Sequence, residues 1–163
     1  MDDKLGLIER GDLHLVVSRA TEVCTVWRKG DQGGIELFRL DMRNRTAAQG
    51  EGHWGHLPPG TYLLGAPSDC HTIPLGLHYT PILDLDVEGP LHQHGRIAIG
   101  IHGGGTGLHD PFAGEQGWVK THGCERVQNG DNARLVAAIR PTQAKGARAY
   151  FTVVLGREGG GQG

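Results

Sequence analysis

Glycine sets the first limit on this chain: 28 of its 163 residues are glycine, gathered around the histidines and near both ends. A backbone so freely bent, with aromatic residues at only 6%, favours tight turns and irregular loops over long helices. The apolar runs are correspondingly short. Residues 13–17, 22–28, 61–64, 81–86, 95–101 and 149–155 read as strands, and 35–40 alternates apolar and polar side chains with period two, as a half-buried strand does. Residues 41–56 are polar and glycine-rich without a period, which predicts a long loop, and Pro58-Pro59-Gly60 punctuates the chain before the next strand. One helix is expected: Asp131 is a good N-cap, Leu135, Val136 and Ile139 share a face, and Pro141 should end it. The pattern predicts a mainly-β single domain over residues 1–156, with one short helix after the loop that carries Cys124. Residues 157–163 are expected to be a flexible glycine-rich tail.

A formal charge of -2 gives no bulk reason to expect nucleic acid or an anionic membrane as partner. No stretch approaches the ~20 apolar residues that span a bilayer. The start, Met1-Asp2-Asp3, lacks the basic residues and apolar run of an export signal. Cys24, Cys70 and Cys124 form no CxxC pair, so neither a zinc ribbon nor a dithiol redox motif is supported; a Cys24–Cys70 disulfide stays open.

Chemistry concentrates in two segments, Ile101-His102-Gly103-Gly104 and Thr121-His122-Gly123-Cys124-Glu125-Arg126-Val127. A thiol attacks as thiolate, and an imidazole can take its proton. His102 closes a predicted strand, a rigid element able to aim it at the cysteine loop. Small residues around Cys124 let a substrate backbone approach and let loop amides face a developing oxyanion. On this reading the Cys124 thiol should be unusually ionised at neutral pH.

In these segments the chain resembles the L,D-transpeptidase catalytic domain, the YkuD-like family. The resemblance rests on His102-Gly103, on Thr121-His122-Gly123-Cys124 with Arg126 two residues on, and on Asn129 and Asp131 at a helix start. It also rests on Leu57-Pro58-Pro59-Gly60-Thr61-Tyr62 ahead of a strand. It covers residues 12–155 and implies that the mainly-β domain is a β-sandwich. Two departures stand out: the 18 residues between His102 and Thr121 slightly exceed the family spacing, and Glu125 occupies a position that is usually aliphatic.

The resemblance implies acyl transfer on peptidoglycan stem peptides. Cys124 would attack the carbonyl of an L,D bond, release the terminal D-residue and form a thioester. An amine then gives a 3-3 crosslink or an exchanged residue, and water gives hydrolysis. It implies His102 as base, oriented by the Gly103 carbonyl, with His122 in the catalytic group and Thr121, Gly123 and Arg126 toward substrate; Arg126 alternatively organises the Cys124 loop. No cofactor is implied. The setting would be the cell wall or periplasm, reached by a non-standard route or with an export segment outside this sequence.

Other classes are weaker. His53 with His56, and His92 with His94, each offer two ligands, but a zinc hydrolase needs a third and no HExxH is present. A catalytically dead wall-binding module would have no use for both His102 and Cys124. Papain-like and NlpC-type peptidases place Cys before His, the reverse of the order here.

Overall fold

The computed structural model describes residues 6–44, 56–96 and 98–156. Nine strands and two helices follow in the order β1 (Leu13–Ser18), β2 (Val23–Gly30), β3 (Gly33–Asp41), β4 (Gly60–Leu64), β5 (Ser68–Thr72), β6 (Gly76–Leu83), α1 (Pro90–Gln93), β7 (Gly100–His102), β8 (Glu125–Arg126), α2 (Asn129–Ala144) and β9 (Ala149–Val154). The mainly-β single-domain architecture expected from the sequence is what the chain adopts. The strands run β3-β2-β1-β9-β4-β6-β7-β8 across the sheet, with β5 paired to β6.

Strand β1 lies between antiparallel β2 and parallel β9 and is buried along its whole length. This suits its near-continuous apolar sequence. Leu13, Leu15, Val17, Phe151 and Val153 pack with Ile101, Leu135 and Ile139 in the core. Each such side chain contributes about 1.5–3 kcal/mol on full burial. Strand β6 joins the two halves: Ile82 and Leu83 pair with β4, whereas Tyr79, Thr80 and Pro81 pair with β7.

Several boundaries move from the sequence reading. The strand expected at 81–86 begins at Gly76 and ends at Leu83. Asp84 then leaves the sheet to accept hydrogen bonds from the Leu91 and His92 amides at 3.1 and 2.7 Å, which caps the unforeseen short helix α1. The strand expected at 95–101 shrinks to β7, because residues 91–96 turn through α1 and Ala98 adopts φ 55°. Strand β5, rich in polar residues, gave no apolar signal.

Helix α2 starts two residues before the expected cap and runs through Pro141. Its first turn is held by side chains from the preceding loop. The Gln116 carboxamide accepts from the Asn129 amide at 2.7 Å and donates to the Val127 carbonyl at 2.9 Å. Pro141 removes a bond from the Ala137 carbonyl, and Ala137 is exposed, so water can replace that bond. The long loop expected at 41–56 coincides largely with residues 45–55, and the tail at 157–163; both lie outside the described residues.

Candidate active site

Strand register gathers the site. In the β6–β7 ladder Tyr79 stands opposite His102, and in the parallel β7–β8 ladder His102 stands beside Arg126. Side chains alternate between faces along a strand, so these three share one face while Ile101 and Glu125 turn to the other. Gly100 and Cys124, which directly precede the paired residues Ile101 and Glu125, meet at the start of the ladder. The Gly100 amide donates to the Cys124 sulfur, and the thiol reaches the Ala98 carbonyl at 3.5 Å.

Gly100 has no substitute here. A Cβ at this position would lie 2.5 Å from Tyr79 Cε2 and 2.6 Å from the Thr80 carbonyl oxygen. The bare backbone lets the Tyr79 ring lie against the strand at Gly100. The Tyr79 and His102 rings are 6.4 Å apart at 28°. Burial, and then the nearby Cys124 thiolate, push the Tyr79 hydroxyl well above the usual phenol range.

His102 is 4% exposed, and its Nδ1 lies 2.8 Å from the Gly103 carbonyl oxygen. A carbonyl only accepts, so Nδ1 carries the proton and Nε2 keeps its lone pair. Burial, partly offset by that bond, lowers the imidazole to about 4, and the Arg126 charge adds to the lowering. The ring is therefore a neutral base over the whole physiological range.

The Cys124 thiol is raised, by burial first, with the Gly100 amide pulling it down, Glu125 pushing it up and Arg126 pulling it down. Burial thus works against the enhanced thiolate fraction expected from the sequence. The resting pair is thiol and neutral imidazole, not an ion pair. Iodoacetamide labelling of Cys124 should keep rising with pH through neutrality and beyond. Label counted by mass spectrometry checks this, and a rate that levels off near about pH 7 would mean a preformed thiolate.

Two residues expected toward substrate are occupied within the protein. Arg126 is buried, and its Nη1 donates to the carbonyls of Gly103 at 2.8 Å and Gly104 at 2.5 Å. Thr121, also buried, donates to the Cys124 carbonyl at 2.7 Å. Both are consumed by the backbone around the site because the glycine-rich loops leave carbonyls to be satisfied. Gly123 has φ 123°, a conformation side chains disfavour. His122 is exposed.

The 103–120 loop is stitched to α2. Asn129 Nδ2 donates to the carbonyls of Pro111 and Ala113, its Oδ1 accepts from the Gly104 amide, and the Gly130 amide reaches the Gly114 carbonyl. Trp118 lies under the Arg43 guanidinium at 4.0 Å. Behind the cysteine loop, Asn44 donates to the carbonyls of Gly123 and Cys124. Glu125, wholly buried, accepts two hydrogen bonds from Arg19 at 2.5 and 3.0 Å.

The sequence reading missed Tyr79, Gly100, Asn44 and Gln116. The glycine inside an otherwise apolar strand is a signal of close approach at residue 100; an isolated Asn at the edge of a polar loop signals nothing. Cys24, Cys70 and Cys124 are free thiols, so the Cys24–Cys70 pairing left open is not made. Among the described residues no three His, Cys, Asp or Glu side chains converge on a metal site, and His53 lies outside them. His56 bonds instead to Asn44 Oδ1 at 3.2 Å. No described helix is long and apolar enough to cross a membrane.

No protein-family profile matches the chain, and no curated protein is similar to it in sequence. Solved structures do resemble it. The helical cell shape determining protein Pgp2 from Campylobacter jejuni aligns over 90% of this chain and 48% of its own, with TM-score 0.61 and 13% identity. Bd1075 of Bdellovibrio bacteriovorus aligns over 89% and 50%, with TM-score 0.56 and 12% identity. An L,D-transpeptidase (Yku) from Stackebrandtia nassauensis aligns over 97% and 63%, with TM-score 0.55 and 14% identity. The chain thus spans about half to just under two thirds of these proteins and shares a fold with them, an L,D-transpeptidase among them.

Proposed function

We propose that this protein is a cysteine acyltransferase acting on peptidoglycan stem peptides. The observation that supports the reading is His102, held as the Nδ1–H tautomer by Gly103, on the strand whose first residue, Gly100, gives its amide to the Cys124 sulfur. The fold shared with an L,D-transpeptidase supports the substrate class.

In this mechanism Cys124 Sγ attacks the carbonyl carbon of the L,D bond as His102 Nε2 takes the thiol proton. Because the thiol is raised and the imidazole lowered, transfer accompanies attack and does not precede it. The tetrahedral oxyanion collapses, the C–N bond breaks, and the imidazolium returns its proton to the departing D-residue amine. An acceptor amine then attacks the thioester, His102 takes the amine proton, the C–S bond breaks, and the imidazolium returns that proton to the leaving Cys124 sulfur. Arg126 and Thr121 serve by fixing the Gly103–Gly104 and Cys124 carbonyls, and Gly123 by permitting the turn. His122, exposed beside the nucleophile, borders the path of substrate.

Tetrapeptide stems supplied with an excess of amine acceptor should yield crosslinked dimer and free D-residue, resolved by mass. Free tripeptide without dimer would replace transfer with hydrolysis of the same bond. Unchanged tetrapeptide would remove the reading altogether.

A further inference from the structure

We infer that Asn44 is a positioning residue that sets an oxyanion-binding amide at Cys124; this rests on Cys124 being the nucleophile. Asn44 is 3% exposed and all its polar capacity is directed. Nδ2 donates to the carbonyl of Gly123 at 2.8 Å and to that of Cys124 at 2.9 Å. Oδ1 accepts from the Leu57 amide at 2.8 Å and from His56 Nδ1 at 3.2 Å. The partners fix which end of the carboxamide is which, since carbonyls accept and the Leu57 amide donates.

In a regular strand successive carbonyls point to opposite edges. Here those of Gly123 and Cys124 converge on one nitrogen, which requires a reversed peptide between them. Gly123 at φ 123° supplies the reversal. A trans peptide directs its C=O and N–H oppositely, and no peptide bond among the described residues is cis. With the Gly123 carbonyl held on Asn44, the Cys124 amide is turned away from Asn44. Strand β8 has Arg43, the neighbour of Asn44, on one edge and β7 on the other. The amide therefore faces the β7 side, where the Gly100 amide meets the sulfur. An N–H on the nucleophile's own residue, preset in direction, is suited to receive the negative oxygen that forms when Sγ adds to a carbonyl. Asn44 touches no reacting atom; it acts by preventing the peptide from relaxing.

Asn44→Asp separates this role from simple support. An aspartate retains acceptors for Leu57 and His56 but cannot, when ionised, donate to the two carbonyls. Two probes of the same sulfur are compared in intact protein. A carbapenem acylates through an oxyanion, whereas iodoacetamide alkylates at a saturated carbon and forms none. The expected result is a loss on the order of 10²-fold in the carbapenem acylation rate, with iodoacetamide labelling of Cys124 changed less than about threefold. Asn44→Ala, which removes the donors without adding charge, should show the same selective loss. Equal loss with both probes, or failure of both variants to fold, makes Asn44 a support of the loop and overturns the inference. Normal acylation of both variants overturns it as well. A wild-type protein that iodoacetamide labels at Cys124 but a carbapenem does not acylate would overturn the acyltransfer reading first, and this inference with it.

Discussion

Replacing His102 with alanine should lower kcat/KM for stem-peptide transfer by about 10²–10⁴-fold, the range for a lost general base. The effect should be large here because nothing in the resting site ionises the thiol in advance. Burial raises Cys124, and the imidazole sits at about 4, so the proton must move during attack to a base already placed to receive it. The pH dependence gives an independent readout. The free enzyme should hold its activity down to mildly acidic pH, with an acid limb set by His102 near about 4 and not near the ordinary histidine value of ~6.5. An active His102→Ala variant would transfer the role to the exposed His122.

The same shift predicts a stability profile. The folded imidazole binds its proton more weakly than the unfolded one, so between ~6.5 and about 4 the unfolded chain holds more protons. Stability from this group is present above ~6.5 and is lost as pH falls through that window. The alanine variant should lack that part of the acid sensitivity, measurable in denaturant midpoints taken across the window.

Residues that act through local pattern were legible in the sequence, and those that act through tertiary contact were not. His102 and Cys124 sit in glycine-marked segments whose composition announces close backbone approach. The core strands β1 and β9 announce themselves by apolar runs. Strand β5 is held by pairing with β6 rather than by burial, so its polar sequence carried no period. Helix α2 begins early because Gln116, distant in sequence, satisfies its first amide. It continues past Pro141 because the orphaned carbonyl is at an exposed position. Arg126 illustrates the limit most directly. A cation two residues after Cys124 reads as a substrate contact. Only the fold reveals that the Gly103 and Gly104 carbonyls already take its Nη1 donor.

Glu125 departs from the aliphatic residue that the family resemblance calls for, and its environment explains how the charge is tolerated. The side chain has no solvent exposure, and burial pushes the carboxyl up while the two Arg19 hydrogen bonds pull it back. Arg19 is itself mostly covered, at 16% side-chain exposure. Removing one member of such a pair strands the other in a medium of low polarity. Arg19→Ala should therefore cost about 3–5 kcal/mol of stability at neutral pH, read from the urea midpoint. The loss should shrink as the solution is acidified. Without Arg19 the folded Glu125 binds a proton far more tightly than the unfolded glutamate does. The variant accordingly regains stability as pH falls toward the ordinary carboxyl range of ~4.3. The paired replacement Arg19→Met with Glu125→Leu restores an apolar residue beside the nucleophile and leaves no charge buried. Buried pairs exchanged for packed apolar groups are often neutral or stabilising by about 1–4 kcal/mol. The double variant should thus match or exceed the parent in stability and lose the acid recovery of the single one. If Arg19→Ala unfolds no more readily than the parent, the bidentate bond is not what keeps Glu125 in the core. If the double variant is as unstable as the single one, the pair fixes the Cys124 loop in a way that apolar packing cannot replace.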